Sequence, residues 1–127
     1  MCHQTVSLAA RYLEEHGIAT VVVGCAKDIV EYVGVPRFLF SDFPLGNPCG
    51  RAHDRASQEY TLELALKLLE TVVVPRTTVQ SPLLWNDDPS WKLDYSNVAT
   101  LTPEEITKRR AEFDREKAAA RKIRDKD

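Results

Sequence analysis

Residues 18–42, IATVVVGCAKDIVEYVGVPRFLFSD, carry the strongest fold signal in the chain. Residues 18–23 and 37–42 are short runs of β-branched, aliphatic and aromatic side chains, and the segment between them, residues 26–33, is helical in pattern and ends at Gly34. Consecutive apolar positions are typical of strands buried on both faces of a parallel sheet. The order strand, helix, strand therefore predicts a parallel βαβ unit.

Two further helices are predicted, one on each side of this unit. Upstream, Thr5 is suited to cap a helix whose apolar residues recur at helical spacing from Val6 to Leu13. Downstream, the loop 44–54, PLGNPCGRAHD, leads into a helix over residues 55–73. That last helix has apolar residues on two sides, so two of its faces are expected to be covered.

The predicted sheet is too small to be stable alone. The sequence offers only two convincing strands, and a two-stranded sheet is not independently stable. The first helix also lacks the strand that a βαβ unit would place before it. We therefore expect an α/β fold, a partial doubly wound parallel sheet in the order helix-strand-helix-strand-helix, which a partner chain completes in an obligate oligomer.

The sequence pattern divides the chain into three parts. These are an α/β half-domain (1–75), an extended aromatic arm (76–102) and a charged C-terminal helix (103–127). The arm has no clear period, but aromatic residues argue against disorder, and we expect Trp85 and Trp91 to be buried, partly against a partner. The helix opens with TPEE at residues 102–105, which predicts a capping box with proline at the first helical position.

The composition excludes several classes of protein. The chain has 127 residues, enough for one domain, and its 17 basic and 19 acidic residues give a net charge of −2. This balance excludes a strongly basic nucleic-acid binder. No apolar run is long enough for a membrane span, and no secretory signal is expected. Three cysteines are an odd number, which favours reduced thiols in a cytoplasmic protein.

The three cysteines are expected at one edge of the sheet. Cys2 lies at the start of the first helix, Cys25 follows the first strand, and Cys49 lies in the loop after the second strand. In a parallel α/β sheet the loops after strands and the starts of helices meet at the carboxyl edge, where ligands bind. His3 and His53 are predicted to lie at the same edge.

The sequence around each thiol predicts a different role. Cys25 follows an apolar strand between two small residues and is predicted to be a buried small hydrophobe. Cys2 is at a helix start, which favours the thiolate. Cys49 lies between proline and glycine, in a loop rigid enough to orient its side chain.

Neither a metal site nor a bound cofactor is predicted. Five residues could be imagined as metal ligands: Cys2, His3, Cys49, His53 and Asp54. Their spacing contains neither C-x₂-C nor H-x₃₋₅-H, so the metal signal is weak. The chain also has no G-x-G-x-x-G and no P-loop lysine motif, which disfavours a self-contained nucleotide site.

Residues 2–24, CHQTVSLAARYLEEHGIATVVVG, followed by VGVPRFLF and DFPLGNPCGRAHD, resemble the carboxyl-terminal part of the glycine, sarcosine, betaine and D-proline reductase selenoprotein B family. In that family a redox motif, selenocysteine or cysteine followed by x-x-Cys, leads into a helix and a strand. A Pro-Leu-Gly-x-Pro loop then leads into a helix like SQEYTLELALKLLE. The resemblance covers residues 2–73.

The resemblance implies reductive cleavage of a C–N bond, in which a selenolate or thiolate attacks carbon and a second thiol resolves the adduct. It implies that Cys2 is the second redox residue and that a larger partner subunit supplies the first residue and the missing strands. The candidate catalytic residues are Cys2, Cys49 and His3. The candidate substrate-binding residues are Gly46, Asn47, Arg51 and His53.

Two classes of function stay open at this point. The first is a subunit of a heteromeric thiol-dependent reductase-like enzyme that acts on a small amino-acid-like substrate. The second is a non-redox relative that uses the same pocket for another reaction or supports a catalytic partner.

Overall fold

The computed structural model describes residues 2–94 and 101–124, which form two compact units that divide between Asp87 and Asp88. The first unit contains three helices and three strands: α1 (Cys2–Glu15), β1 (Val22–Gly24), α2 (Lys27–Val33), β2 (Arg37–Phe40), α3 (Arg55–Thr71) and β3 (Thr77–Gln80). The second unit contains α4 (Trp91–Asp94) and α5 (Pro103–Arg124). No helix within the described ranges is long and apolar enough to cross a membrane.

The three strands form one parallel sheet in the order β1-β2-β3. Val22 pairs with Phe38, which in turn pairs with Thr78. The predicted βαβ unit is confirmed, because β1, α2 and β2 follow one another and the two strands are parallel. Gly34 ends α2 in the left-handed conformation, with a φ of 80°.

β1 is shorter than the predicted run. The strand begins at Val22, and Ile18 is 53% exposed. The physical reason lies at Thr20, whose backbone N–H and side-chain hydroxyl both donate to the carboxylate of Glu14. This part of the run is therefore bonded to α1, and the strand pairing starts two residues later.

A third strand lies in the segment that was expected to be an extended arm. Residues 77–80, TTVQ, form β3 beside β2. Three of its four residues are β-branched, which suits a strand, but the run is short and polar. Among the residues that the structure describes, the sheet therefore has three strands, and the expectation of two was wrong.

Helices cover both faces of the sheet. One face, with Val22 and Phe38, packs against α1 and α2. The other face, with Leu39, packs against α3 through Ala65 and Leu68. The connection from β1 to β2 and the connection from β2 to β3 move in the same direction across the sheet. Their helices, α2 and α3, lie on opposite faces, so the two crossover connections have opposite handedness. One of them is therefore of the uncommon left-handed kind.

Two helices of the first unit expose apolar side chains. α1 begins at Cys2, so Thr5 lies inside the helix and not at its cap. Its buried residues are Ser7 and Ala10, whereas Leu8 is 58% exposed. On α3, Leu62 is 61% exposed, so the described part of the chain covers only one of the two faces that were expected to be covered.

A polar network joins the elements at the amino end of the sheet. Arg37 of β2 forms an ion pair with Glu14 of α1, with 2.8 Å between Nη1 and Oε1. The same guanidinium donates to the carbonyl oxygens of Thr20 and Val72. One half-buried cation thus connects α1, β2 and the end of α3 far from the carboxyl edge.

The second unit confirms the predicted capping box. The Thr102 hydroxyl accepts from the Glu105 N–H at 3.3 Å, and the Glu105 carboxylate accepts from the Thr102 N–H at 2.9 Å. Trp91 at the start of α4 is half-buried. Parts of the predicted arm and of the C-terminal helix, residues 95–100 and 125–127, lie outside the described residues.

Trp85 belongs to the first unit and is also half-buried. Its ring meets Phe43 edge-on, with 5.4 Å between the ring centroids. This geometry is one that aromatic pairs prefer. The predicted burial of the two tryptophans is thus partial within this chain, and burial against a partner stays a prediction.

Candidate functional site

The loop after β2 is tied to the carboxyl ends of β1 and β2. Ser41, the first residue after β2, donates its N–H to the Gly24 carbonyl at 2.9 Å and its hydroxyl to the Pro48 carbonyl at 2.8 Å. Ser41 is 1% exposed. A buried serine with both groups paired is costly to disturb, so it fixes the loop above the strand ends.

The other end of this loop is fixed on the start of α3. Gly50 has a φ of 104°, and a Cβ there would lie 2.8 Å from the Gln58 nitrogen, so only glycine fits. Asp54 caps α3 by accepting from the Ser57 N–H at 3.1 Å. The Ser57 hydroxyl in turn accepts from the Arg51 N–H at 2.9 Å. Backbone and cap together hold residues 50–54 in one conformation.

A cleft of about 630 Å³ opens between this loop, β1 and α3. Its volume is within the range of small-molecule sites. Val23 of β1 and the loop residues around Cys49 form part of the wall, and α3 contributes the rest. The lining residues are Val23, Gly46, Asn47, Pro48, Cys49, Gly50, Ala52, Gln58, Thr61, Leu62 and Ala65.

Three of the predicted site residues meet in this cleft. Gly46, Asn47 and Cys49 all line it, and Cys49 is exposed. The side chains of Asn47 and Gln58 bring amide groups to a mostly apolar wall. The arrangement can therefore hold a small molecule with an apolar body and a polar head next to a free thiol.

Cys25 lies behind this loop at the end of β1. The backbone N–H groups of Phe43 and Asn47, which donate to the carbonyls of Ser41 and Pro44, lower the pKa of its thiol. Burial raises the pKa of the Cys25 thiol, and the neighbouring Cys49 and Asp42 raise it further, against the lowering effect of the two N–H groups. Cys25 was predicted to be a buried small hydrophobe, and it is half-buried. The polar groups around its sulfur were not predicted.

Cys2 and His3 lie at the start of α1 and are not among the cleft's lining residues. Cys2 is exposed. The His3 ring lies over Gly24, and its Nε2 accepts from the Cys25 N–H at 3.4 Å. In the neutral ring this contact leaves the proton on Nδ1. His3 is thus brought to the same strand end as Cys25, as predicted for the carboxyl edge.

Arg51 and His53 follow Cys49 but are also outside the lining. Arg51 forms an ion pair with Asp54, with 3.6 Å between Nη1 and Oδ2. His53 is exposed and has a φ of 60°, an uncommon conformation for a residue with a side chain. Both residues belong to the turn that leads into α3, and their role in substrate binding stays a prediction.

The cleft also has lining residues that the sequence reasoning missed as site residues. Gln58, Thr61 and Leu62 come from α3, and Val23 comes from β1. The available signal was the second apolar side of the helix over residues 55–73, interrupted by polar residues. A helix side that is neither fully apolar nor charged is consistent with the wall of a cleft.

Comparison with protein-family models, with curated proteins and with solved structures finds no match for this chain. Within residues 2–94 and 101–124, no group of three or more histidine, cysteine, aspartate or glutamate residues is arranged to hold a metal ion. The resemblance to the reductase family therefore stays a prediction.

Proposed function

We propose that this chain is a subunit of a heteromeric thiol-dependent reductase-like enzyme, resembling the glycine and D-proline reductases, that acts on a small amino-acid-like substrate by thiolate attack. The observation that carries the proposal is the exposed Cys49 in a cleft of about 630 Å³ at the carboxyl edge of a parallel sheet. Ligands of open α/β sheets bind at this edge.

The cleft suits a small amino acid in two respects. The amide nitrogens of Asn47 and Gln58 each donate one hydrogen to a backbone carbonyl, of Pro44 and Arg51, and the second hydrogen of each is a donor for a carboxylate. Val23, Leu62 and Ala65 provide an apolar wall for the carbon skeleton. In this proposal the amides orient the substrate so that the carbon bearing nitrogen faces the Cys49 sulfur.

The proposed reaction consists of two displacements. The Cys49 thiolate attacks the carbon, so that an S–C bond forms and the C–N bond breaks, and the amine leaves with a proton. A second thiol, deprotonated as it reacts, then attacks the Cys49 sulfur. A disulfide forms, the S–C bond breaks, and the carbanion next to the carboxylate takes a proton to give the reduced product. A dithiol reductant returns the disulfide to two thiols.

A partner chain is proposed to complete the sheet next to β1. Within the described residues β1 pairs only with β2, although its sequence has apolar side chains toward both faces. An apolar edge strand is a pairing site unless something covers it. Strands added there by a larger subunit would extend the parallel sheet into the doubly wound arrangement expected from the sequence.

The test uses the complex that co-purifies with the tagged full-length chain, supplied with dithiothreitol and each of glycine, sarcosine, betaine and D-proline. Mass spectrometry detects the product of C–N cleavage. We expect Cys49→Ser to lower turnover on the order of 1,000-fold or more without dissociating the complex. Tyr32→Ser, which changes a side chain that is 93% exposed on α2, is the control and should leave turnover unchanged. Full turnover by Cys49→Ser would overturn the proposal.

Cys2 supplies a separate test of the family assignment. The resemblance makes Cys2 a redox residue, so Cys2→Ser should also abolish turnover of the assembled complex. If Cys49→Ser is inactive and Cys2→Ser is fully active, the thiol mechanism stands and the role carried over for Cys2 is wrong.

The second candidate is a non-redox relative that binds the substrate or supports a catalytic partner. The observation that favours it is that Cys2 and His3 lie outside the cleft's lining. This candidate predicts that Cys49→Ser keeps both substrate binding and the activity of the complex. Isothermal titration calorimetry of the variant complex with the substrate separates the two candidates, because the reductase proposal allows binding but not turnover.

A further inference from the structure

Cys25 and Cys49 are held by the same short loop. Asn47, two residues before Cys49, lines the cleft and donates its N–H to the Pro44 carbonyl at 3.1 Å. Ser41 ties the end of β1, at Gly24, to the carbonyl of Pro48. One serine thus joins the residue before Cys25 to the residue before Cys49, so the two cysteines lie near each other at the carboxyl edge.

The environments of the two sulfurs differ in a way that suits a sequential reaction. Cys49 is exposed in the cleft, so a substrate or a small disulfide reaches it first. Cys25 is half-buried, and burial raises the pKa of its thiol. A thiol that keeps its proton does not compete for the first attack, because the thiolate is the nucleophile.

A disulfide between Cys25 and Cys49 needs a local change of this loop. Gly46 has a φ of 97° and no atom within 4 Å of a Cβ built there, whereas Gly50 is packed on α3. Cys49 lies between these two glycines, and the Ser41–Pro48 hydrogen bond is the contact that must break for its sulfur to approach Cys25.

From these observations we propose that Cys25 is the resolving thiol for Cys49, so that this chain carries a complete two-cysteine redox couple of its own. The proposal rests on the proposed function for its catalytic meaning, whereas formation of the disulfide is testable without substrate. It names the second thiol of the reaction above, and it gives a chemical role to the residue that the sequence indicated as structural.

The same couple reacts with a small disulfide in two balanced steps. The Cys49 thiolate attacks oxidised glutathione, forming a mixed disulfide and releasing one glutathione thiolate. The Cys25 thiol then loses its proton and attacks the Cys49 sulfur, forming the Cys25–Cys49 disulfide and releasing the second glutathione. Two protein thiols are oxidised and one glutathione disulfide is reduced.

The experiment uses the reduced full-length protein and oxidised glutathione as the probe. After quenching with acid and digestion with trypsin, mass spectrometry distinguishes the peptides 12–27 and 38–51, which carry Cys25 and Cys49. We expect these two peptides to be linked in the main product. In Cys25→Ser the glutathione adduct on Cys49 should persist at least about ten-fold longer than in the native protein, because no thiol resolves it. Tyr32→Ser, which changes an exposed side chain on α2, should leave both results unchanged.

The proposal is overturned if the Cys49 adduct is equally long-lived in the native protein and in Cys25→Ser, or if Cys49 links to Cys2 instead. Cys25→Ala, checked by circular dichroism, replaces the serine variant if the latter does not fold. The outcome is independent of the proposed function. If the Cys25–Cys49 disulfide forms but no C–N bond is cleaved, the reductase proposal is wrong and the two-cysteine redox couple stands. If C–N cleavage occurs without this disulfide, the reductase proposal stands and the couple is wrong.

Discussion

Cys25 shows how a buried thiol and an exposed thiol acquire different chemistry on one chain. The N–H groups of Phe43 and Asn47 lower the pKa of the Cys25 thiol, yet burial outweighs them and raises it. Cys49, in contrast, is exposed to solvent. The sequence placed both thiols at the carboxyl edge, but it could not show that one loop would shield the first and expose the second.

The raised pKa of Cys25 predicts a loss of stability in alkaline solution. The folded protein keeps this proton to a higher pH than the unfolded chain, whose thiol has the ordinary pKa of 9.0. The contribution is therefore fully present below pH 9 and is lost as pH rises through the folded-state pKa. Neighbouring Cys49 and Asp42 act in the same direction. Urea unfolding between pH 8 and pH 10.5 should show a steeper decline for the native protein than for Cys25→Ala, and equal slopes would contradict the prediction.

Ser7 and Ser57 are both buried, but replacing each with alanine is expected to have opposite effects on stability. Ser7 is 0% exposed, and its hydroxyl has no hydrogen-bond partner. Ser57 is 4% exposed, and its hydroxyl accepts from the Arg51 N–H and donates to the Asp54 carbonyl. Ser7→Ala should raise the free energy of unfolding by about 1 kcal/mol, whereas Ser57→Ala should lower it by about 1–2 kcal/mol. Urea denaturation measures both, and a destabilised Ser7→Ala would refute the prediction.

At the level of elements, the loop between β2 and α3 determines the shape of the cleft. Gly46 and Gly50 both have positive φ, but only Gly50 is packed against backbone atoms of α3. The sequence marked this segment as a loop through its prolines and glycines. It did not reveal which glycine makes the close approach, because that depends on the position of α3.

These two glycines give a prediction with an internal control. Gly50→Ala places a Cβ 2.8 Å from the Gln58 nitrogen, so the loop must shift, and we expect a loss of at least about 2 kcal/mol in stability. Gly46→Ala meets no atom within 4 Å and should cost only about 1 kcal/mol for its conformation. Thermal unfolding followed by circular dichroism compares the two variants, and equal losses would mean that the close packing at Gly50 is unimportant.

Helix ends were more predictable than strand ends. The capping box at Thr102 and the stop at Gly34 are local signals, and both are confirmed. β1 starts later than its apolar run because Thr20 bonds to Glu14, a contact between elements that the run cannot show. The four-residue strand starting at Thr77 was missed because its stability comes from pairing with β2 and not from its own pattern.

For the molecule as a whole, the main feature is apolar surface beside an open sheet edge. Leu62 and Leu66 lie one turn apart on α3 and are more than half exposed. Leu8 of α1, on the opposite face of the sheet, is also more than half exposed. Exposed apolar residues that lie together, as Leu62 and Leu66 do, mark interaction sites in many proteins. The partial doubly wound sheet expected from the sequence is consistent with this surface, although the third strand makes the first unit more complete than expected.

Association through this surface is the next prediction. We expect the tagged full-length chain to purify as an oligomer, and Leu66→Glu to weaken the association at least about ten-fold because a charge replaces an exposed apolar side chain. Lys67→Gln, an exposed position about 100° further around α3, is the control and should have little effect. Size-exclusion chromatography with light scattering reads the mass. A well-folded monomer of 14.4 kDa that melts cooperatively would contradict the prediction.

The reaction of Cys49 with iodoacetamide tests the proposed thiol chemistry most directly. The reduced complex is alkylated for increasing times, and each sample is divided between peptide mass spectrometry and the assay of C–N cleavage. We predict that Cys49 is modified well before Cys25, since it is exposed and Cys25 is half-buried. We also predict that the remaining turnover never exceeds the unmodified fraction of Cys49 and reaches zero with it, while alkylation of the exposed Cys2 lowers turnover further. Turnover that persists after Cys49 is fully carbamidomethylated would contradict the account.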